Sequence, residues 1–292
     1  MHNFFISAYA TACDWDAQSE IAYFKALSGN SKIIGIEHPF IPNSEKYNFN
    51  FLKNNIPNHW SIIITLVPAT MLELKKNNYF GLASINETGR TAAVKLMEET
   101  SAYIKDLNNL FGRKIVKAVH FQSAPKNNTE EIRGNAVALK KSLQEISHLD
   151  WHDTKLNLEH CDAYTPNFLP QKGFLRLEDE IEILSGINNS GIVLNWARSA
   201  IEARSADHVL KHIQLTQNAN LLKGFFFSGC DTSWKDNHLP PVDSLLSQTE
   251  IQRCFELLNQ PIYLGIKISN QTELKTVAQS IALNFKAIDA LS

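Results

Sequence analysis

The 292-residue chain is poor in the patterns that announce a compartment, a cluster or a nucleotide. Its four cysteines, Cys13, Cys161, Cys230 and Cys254, are scattered, with no CxxC pair, which excludes a disulfide framework or zinc knuckle as the basis of the fold. No apolar run approaches the roughly 18 residues of a membrane span, and the N-terminal stretch lacks the charged and apolar regions of a leader, so a cytoplasmic location is expected. Lys and Arg number 28 against 30 Asp and Glu, giving a net charge of -2. That balance offers no basic stripe for nucleic acid or anionic lipid and leaves a small molecule as the expected partner, with oligomeric state open. Neither GxGxxG nor GxxxxGK[ST] occurs, so the usual phosphate-cradling loops are missing too. There is no Pro- or Gly-rich linker and no low-complexity tract, and 44% of residues are hydrophobic, so the whole of 1–292 is expected to fold as one domain.

What is present is a rhythm. Short apolar, β-branched or aromatic runs recur at FFISAY (4–9), IIGIEH (33–38), SIIITLVP (61–68), VKAVHFQS (116–123), KLNLEHC (155–161), GIVLNW (191–196), KGFFFSG (223–229) and YLGIKI (263–268). Between them apolar residues fall at helical spacing, as in Ala17, Ile21, Phe24 and Leu27, or Ala93, Leu96, Met97, Thr100, Ile104, Leu107 and Leu110. Asn86 or Ser84, Thr129, Ser205 and Thr249 stand where N-caps are expected, each just ahead of acidic residues. Eight βα units of about 36 residues predict an α/β fold of the (β/α)8 TIM-barrel type, preferred over an open doubly wound sheet.

In such a barrel the chemistry lies at the C-terminal strand ends, and there these runs turn polar: Glu37 and His38, then His120 and Gln122, then Glu159, His160 and Asp162, then Asn195, Trp196 and Arg198, then Ser228 ahead of Asp231 and His238, and finally Lys267. Alternation directs Asn157, Glu159 and Cys161 to the barrel side and Leu156 and Leu158 to the helices; likewise Tyr263, Gly265 and Lys267 face in, and Gly35 and Glu37 lean in. Glu159 and Lys267 are therefore expected to share one cavity, as an ion pair or a reactive site. Plainer roles compete: a packed histidine at His120, a loop anchor at Glu37, small buried thiols at Cys161 and Cys230, a helical pair between Arg198 and Glu202. Arg204 would suit an anionic substrate, and Trp196 and Trp234 would offer faces to a sugar ring.

The strand ends GIEHPF, AVHFQSAP and LNLEHCDA resemble the xylose isomerase-like TIM barrels, a superfamily of sugar isomerases, epimerases and an abasic-site endonuclease. LEHCDAYTPNFLPQKGFLRLEDEI, NWARSAIEARSAD and FFFSG look more closely like a bacterial family of that superfamily, the domain of unknown function DUF4862. The resemblance implies a sugar or sugar-derivative isomerase or epimerase of carbohydrate metabolism, moving a proton next to a carbonyl. Metal-dependent members hold a divalent cation with a glutamate on a middle strand, an aspartate one strand on, a histidine or acid after that and a glutamate on the last strand. Glu159 matches the first; Asn195, the FSG end of the seventh run and Lys267 replace the others. The Lys267 ammonium then stands in for the ion, with Glu159 as proton carrier and His120 as a second, and Glu37, Asn195 and Arg198 orienting the substrate. Two alternatives stay open: a non-catalytic carbohydrate-binding barrel, and a metal-assisted hydrolase or lyase on a rebuilt Mn, Mg or Zn site using Glu159, His120, Asp162 and Asp231 or His238.

Overall fold

Each strand pairs in parallel with the next in sequence and the eighth pairs with the first, so no edge is left exposed. The computed structural model describes residues 2–12, 15–44, 48–269 and 275–292; Cys13 lies outside the described residues. The strands are β1 (Phe4–Ile6), β2 (Ile33–Pro39), β3 (Ser61–Thr65), β4 (Val116–Phe121), β5 (Lys155–Glu159), β6 (Ser190–Asn195), β7 (Leu222–Phe227) and β8 (Tyr263–Ile266). Around them run α1 (Ala8–Thr11), α2 (Ala17–Ser28), α3 (Phe49–Asn55), α4 (Val67–Lys76), α5 (Glu87–Phe111), α6 (Ala136–Ile146), α7 (Leu177–Leu184), α8 (Trp196–Ala203), α9 (Ala206–Asn218), α10 (Gln248–Leu257) and α11 (Val277–Ala290). This is the (β/α)8 TIM barrel that the apolar rhythm predicts.

All strands but β2 stop short of the ends of the runs that announce them. In SIIITLVP, β3 ends at Thr65 because Pro68 sits in the first turn of α4, where its missing N–H costs nothing. Asn86 and Ser205 cap α5 and α9 as expected, accepting from the Gly89 and Asp207 amides. Two expected caps are corrected. Thr129 precedes a loop in which Asn128 accepts from the Glu130 and Glu131 amides, and α6 begins only after Asn135. Thr249 lies inside α10, which Ser247 caps. On α2 the inward face is Glu20, Tyr23, Phe24 and Leu27, leaving Ile21 42% exposed and Ala17 on the surface.

Alternation sorts the side chains into two cores. Ile36, Leu156, Leu158, Leu264, Ile266 and Ile268 face the helices and join the main core. Phe5, Ile63, Ala118, Val193 and Phe226 face the barrel axis and plug its lower half. Gly35 faces in as well: a Cβ there would sit 2.1 Å from the Ser61 carbonyl oxygen and 2.6 Å from the Phe5 ring. Neither neighbour can give way without shifting a strand. Gly35→Ala is therefore expected to destabilise the fold by about 1–3 kcal/mol, read as a lower urea midpoint with unchanged m-value; an unchanged midpoint would show that the strand is free to adjust.

Candidate active site at the barrel mouth

Above the apolar plug, the inward position of every strand or its immediate end is polar. Ser7, Glu37, Thr65, His120, Glu159, Asn195, Ser228 and Lys267, one from each strand, are all buried. Glu37 and Glu159 flank the Lys267 ammonium, whose Nζ lies 3.4 Å from Glu37 Oε2 and 3.6 Å from Glu159 Oε1. Glu159 and Lys267 thus meet in one hollow. Lys267 Nζ makes no aligned hydrogen bond among the described residues and lies 5.2 Å over the Tyr9 ring.

The other oxygens are held from several directions. The Ser7 hydroxyl donates to Glu37 Oε2 at 2.5 Å, and His120 Nδ1 is 3.0 Å from Glu37 Oε1. His120 Nε2 is 2.8 Å from the Tyr263 hydroxyl, which accepts from Asn157 Nδ2 at 2.7 Å. The His120 ring is thereby held at both ends, by Glu37 at Nδ1 and by Tyr263 at Nε2. His120 therefore spends both nitrogens on its neighbours. Tyr263 and Asn157 also line a cavity of about 1080 Å³ that opens at the opposite, N-terminal end of the barrel.

α8 starts directly at the end of β6, and its first turn brings Arg198 back over the mouth. Arg198 Nη1 donates to Glu159 Oε1 at 2.5 Å and Nε to Asp236 Oδ2 at 3.3 Å; Lys172 Nζ lies 3.0 Å from the same oxygen. His238 Nδ1 stands 2.8 Å from Ser228 Oγ and 3.3 Å from Asp236 Oδ1. Gln122 Nε2 donates to Glu159 Oε2 at 3.2 Å. Asn195 caps α8 by accepting from the Arg198 amide, and its Nδ2 has no partner among the described residues.

Burial alone would raise all three carboxylates, but their neighbours win. Lys267, His120 and Ser7 hold Glu37 below the usual range, Arg198 and Lys267 do so for Glu159, and His238, Lys172 and Arg198 hold Asp236 well below it. Lys267 is burdened by burial yet raised above its ordinary value by Glu159 and Glu37. It stays an ammonium. Burial lowers the His238 imidazole to about 3.

Several expected site residues lie elsewhere. His38 and His160 have the opposite parity and face the helices: His38 Nε2 is 2.9 Å from the Tyr103 hydroxyl beside a cavity of about 520 Å³ lined by Phe40 and Phe49, and burial lowers it to about 3. His160 lies between Glu180 and Glu202, which raise it to about 10 despite burial. Asp162 accepts from the Gln171 and Lys172 amides and staples its own loop. Asp231 does the same for Ser233 and Asn237. Trp196 is fully buried in the main core and offers no face at the mouth, whereas Trp234 packs partly buried against that core. Arg204 is the left-handed C-cap of α8 and lies over the Phe168 ring; Arg198 and Glu202 point to different partners rather than to each other. Cys161 packs with Ala124 and Phe174, its thiol pushed by burial up to about 12. Ser7, Tyr9, Lys172 and Asp236 are the members that sequence reading missed. Ser7 follows from Phe5 by alternation, whereas Lys172 and Asp236 come from long loops with no periodic signal.

Glu37, His120 and Glu159 bring three ligand-type atoms within 4.8 Å of one another, so a metal has to be considered. The donor set does not fit one. The oxygens that would face the ion already face Lys267 and Arg198, and two fixed cations beside a divalent ion oppose it. Asp162 and Asp231, needed for a rebuilt site, do not join the cluster.

The three depressed carboxylates give a signed prediction. A folded pKa below the unfolded one contributes stability above the unfolded value and loses it as pH falls through the folded value. Wild-type stability should therefore fall steadily below about pH 4, and urea midpoints against pH check it. Arg198→Met, which leaves Glu159 and Asp236 short of a buried partner, should cost about 3–5 kcal/mol at neutral pH; a loss under about 1 kcal/mol would mean that the pair is no better than a surface one.

Known proteins place this geometry. The profile of DUF4862, a domain of unknown function, matches residues 5–283. An uncharacterized protein of Salmonella typhimurium strain LT2 is 32% identical over 245 residues, covering 81% of this chain and 78% of that one. Among solved structures, the IolI protein with a bound zinc atom is similar with a TM-score of 0.68 at 13% identity, covering 100% of this chain and 98% of the other. D-psicose 3-epimerase of Clostridium cellulolyticum H10 with D-tagatose gives 0.63 at 13%, with both chains covered fully. A family 2 AP endonuclease of Brucella melitensis gives 0.64 at 11%, covering 98% of this chain and 99% of the other. No helix among the described residues is long and apolar enough to cross a membrane. The chain belongs to the DUF4862 family and has the xylose isomerase-like barrel fold.

Proposed function

We propose that the protein is an isomerase or epimerase of a sugar or sugar derivative that moves a proton beside a carbonyl, with a lysine in the electrostatic role elsewhere given to an ion. The observation that carries this reading is the pair of buried carboxylates, Glu37 and Glu159, on either side of one ammonium at 3.4 and 3.6 Å. A carbonyl oxygen accepting from Lys267 would draw it from both. The negative charge that grows on that oxygen during enolisation is then met by a preorganised cation in a water-poor site. Losing part of its ion pair, Glu159 becomes the stronger base and is placed to take the proton. Glu159 then holds that proton and returns it to the neighbouring carbon, while Glu37, ionised and fixed by Ser7 and His120, stands on the opposite side of the ammonium. His120 acts here as a positioning residue for Glu37. The unpartnered Asn195 amide and the Arg198 guanidinium orient substrate oxygens.

Entry requires the loop after β7 to move, since the cluster is closed over. Asp236 bridges Lys172 and Arg198 in that loop, and an anionic group on the substrate could replace its carboxylate there. The fold shared with D-psicose 3-epimerase supports a sugar-sized substrate without naming one for this chain.

The test is solvent exchange in D2O over a panel of aldoses, ketoses and their phosphates, followed by NMR at the carbon next to the carbonyl. Wild-type protein should wash in deuterium with at least one of them, and Glu159→Gln should slow this by about 10²–10⁴-fold. Lys267→Met leaves two carboxylates uncompensated, so it is paired with Glu37→Gln to keep the charge balanced; exchange at the wild-type rate in that double variant would remove the mechanism. Complete burial of the cluster also favours a second reading, a carbohydrate-binding barrel without turnover. Calorimetric binding of a sugar that survives Glu159→Gln, with no exchange for any panel member, would select it. For a phosphorylated substrate, Asp236→Asn should lower KM by loosening the loop; a raised KM would show that the bridge helps to hold the substrate.

A further inference from the structure

Outside the barrel wall, behind Glu159, three histidines direct their Nε2 atoms at one carboxylate. His160 Nε2 is 3.2 Å from Glu202 Oε2, while His208 Nε2 and His212 Nε2 are 3.2 and 3.6 Å from Glu202 Oε1. His160, Glu202 and His212 have ligand atoms within 4.8 Å of one another. His208 and His212 stand one turn apart on α9 and so share a face, Glu202 comes from the last turn of α8, and His160 follows β5 directly. Four ligands at zinc bond lengths around a tetrahedral ion are separated by about 3.3 Å, a spacing that the three Glu202–imidazole pairs approach, while His208, outside the mutual group, has to turn its ring toward the other two histidines.

The supporting groups match as well. A ligating imidazole needs its far nitrogen held, which fixes the ring and raises its basicity. His160 Nδ1 is 2.7 Å from Glu180 Oε2, Glu180 itself accepts from Ser123, and His212 Nδ1 is 3.1 Å from Ser199 Oγ. His160, Glu180 and His212 are buried, while the His208 side chain is 19% exposed and gives the cluster its contact with solvent.

We infer that His160, Glu202, His212 and His208 form a structural site for a transition-metal ion, zinc or a similar divalent ion that prefers nitrogen and oxygen ligands. Imidazole and carboxylate donors suit zinc better than magnesium or calcium, which take oxygen sets. The ion would tie the end of β5 to α8 and α9, and so brace the residue after Glu159. The inference is independent of the barrel-mouth chemistry. No step of that reaction uses these side chains.

The experiment strips the full chain with a chelator, then titrates it at about pH 8, where the bound ion displaces the protons of its ligands, with Co²⁺ read in the visible spectrum and with Zn²⁺ by chelator competition. One equivalent should bind with the intense absorption of a tetrahedral cobalt centre, and Zn²⁺ should raise the melting temperature. His212→Gln and His208→Gln should each weaken binding by at least about 100-fold, whereas Glu37→Gln should leave it intact. Circular dichroism confirms that each variant is folded, and the wild-type titration decides alone if one is not. No stoichiometric cobalt in the wild type would overturn the inference, as would binding lost with Glu37→Gln but kept with His212→Gln.

Discussion

The mouth of this barrel depends on one electrostatic constraint: the carboxylates of Glu37, Glu159 and Asp236 are buried together with the cations of Lys267 and Arg198, and half-buried Lys172 closes the set. Burying any one of these charges alone would be prohibitive. Paired within 4 Å in a medium less polarisable than water, each holds its neighbours in the charged form. The arrangement is therefore cooperative in composition. Lys267 cannot be lost without stranding both glutamates, and Asp236, from a loop, is as much part of the balance as the strand residues. An assembly of this kind does little for stability compared with an apolar core of equal size.

The wall of the barrel gives consecutive residues unrelated surroundings. Glu159 faces the axis and meets Arg198 and Lys267; His160, one residue on, faces the helices and meets Glu180 and Glu202. The same holds for Glu37, paired inside with His120, and His38, stacked outside on Tyr103. Because side-chain direction reverses at each step, a cluster of ionisable residues in sequence is split by the sheet into two environments. The two halves remain mechanically joined through the strand. Holding His160 in place also fixes the backbone that carries Glu159.

This reversal explains what was legible in the sequence and what was not. Eight apolar runs and the helical spacing between them mark out the barrel, and inward parity brings Glu159, Lys267 and Glu37 to one place, because period-2 alternation is rigid inside a strand. Position at the rim without parity misleads. His160 has the outward parity, and by Asp162 and Trp196 the chain has turned, so the three serve the helix side, a loop staple and the main core. Asp236 and Lys172 have no period to reveal them, since each is placed by a loop whose path is set by tertiary contacts. The α2 error has a related cause: Tyr23 and Glu20 outcompete Ile21 and Ala17 for the inward face, with Tyr23 anchored by the Asn284 amide donating to its hydroxyl. Spacing alone does not contain that cross-helix contact.

A tethered ammonium is not a simple replacement for a divalent ion, and the difference limits the chemistry. Lys267 and Arg198 together supply two positive charges opposite Glu37 and Glu159, so the electrostatic stabilisation of a developing oxyanion can be kept. What they cannot supply is simultaneous coordination of two adjacent substrate oxygens, because an ammonium is a point charge with rotatable donors and no coordination geometry. Orientation must then come from separate hydrogen bonds, and the side chains with capacity to spare are the Asn195 amide and the Lys267 ammonium itself, both without aligned partners among the described residues. A substrate recognised this way has to place one carbonyl oxygen on Lys267 and a neighbouring hydroxyl near Asn195. The lysine's charge cannot dissociate, so the site gives up the versatility of an exchangeable ion for a permanent one. On the proposed reading, the reactions that suit this site are those that need charge stabilised on a single oxygen.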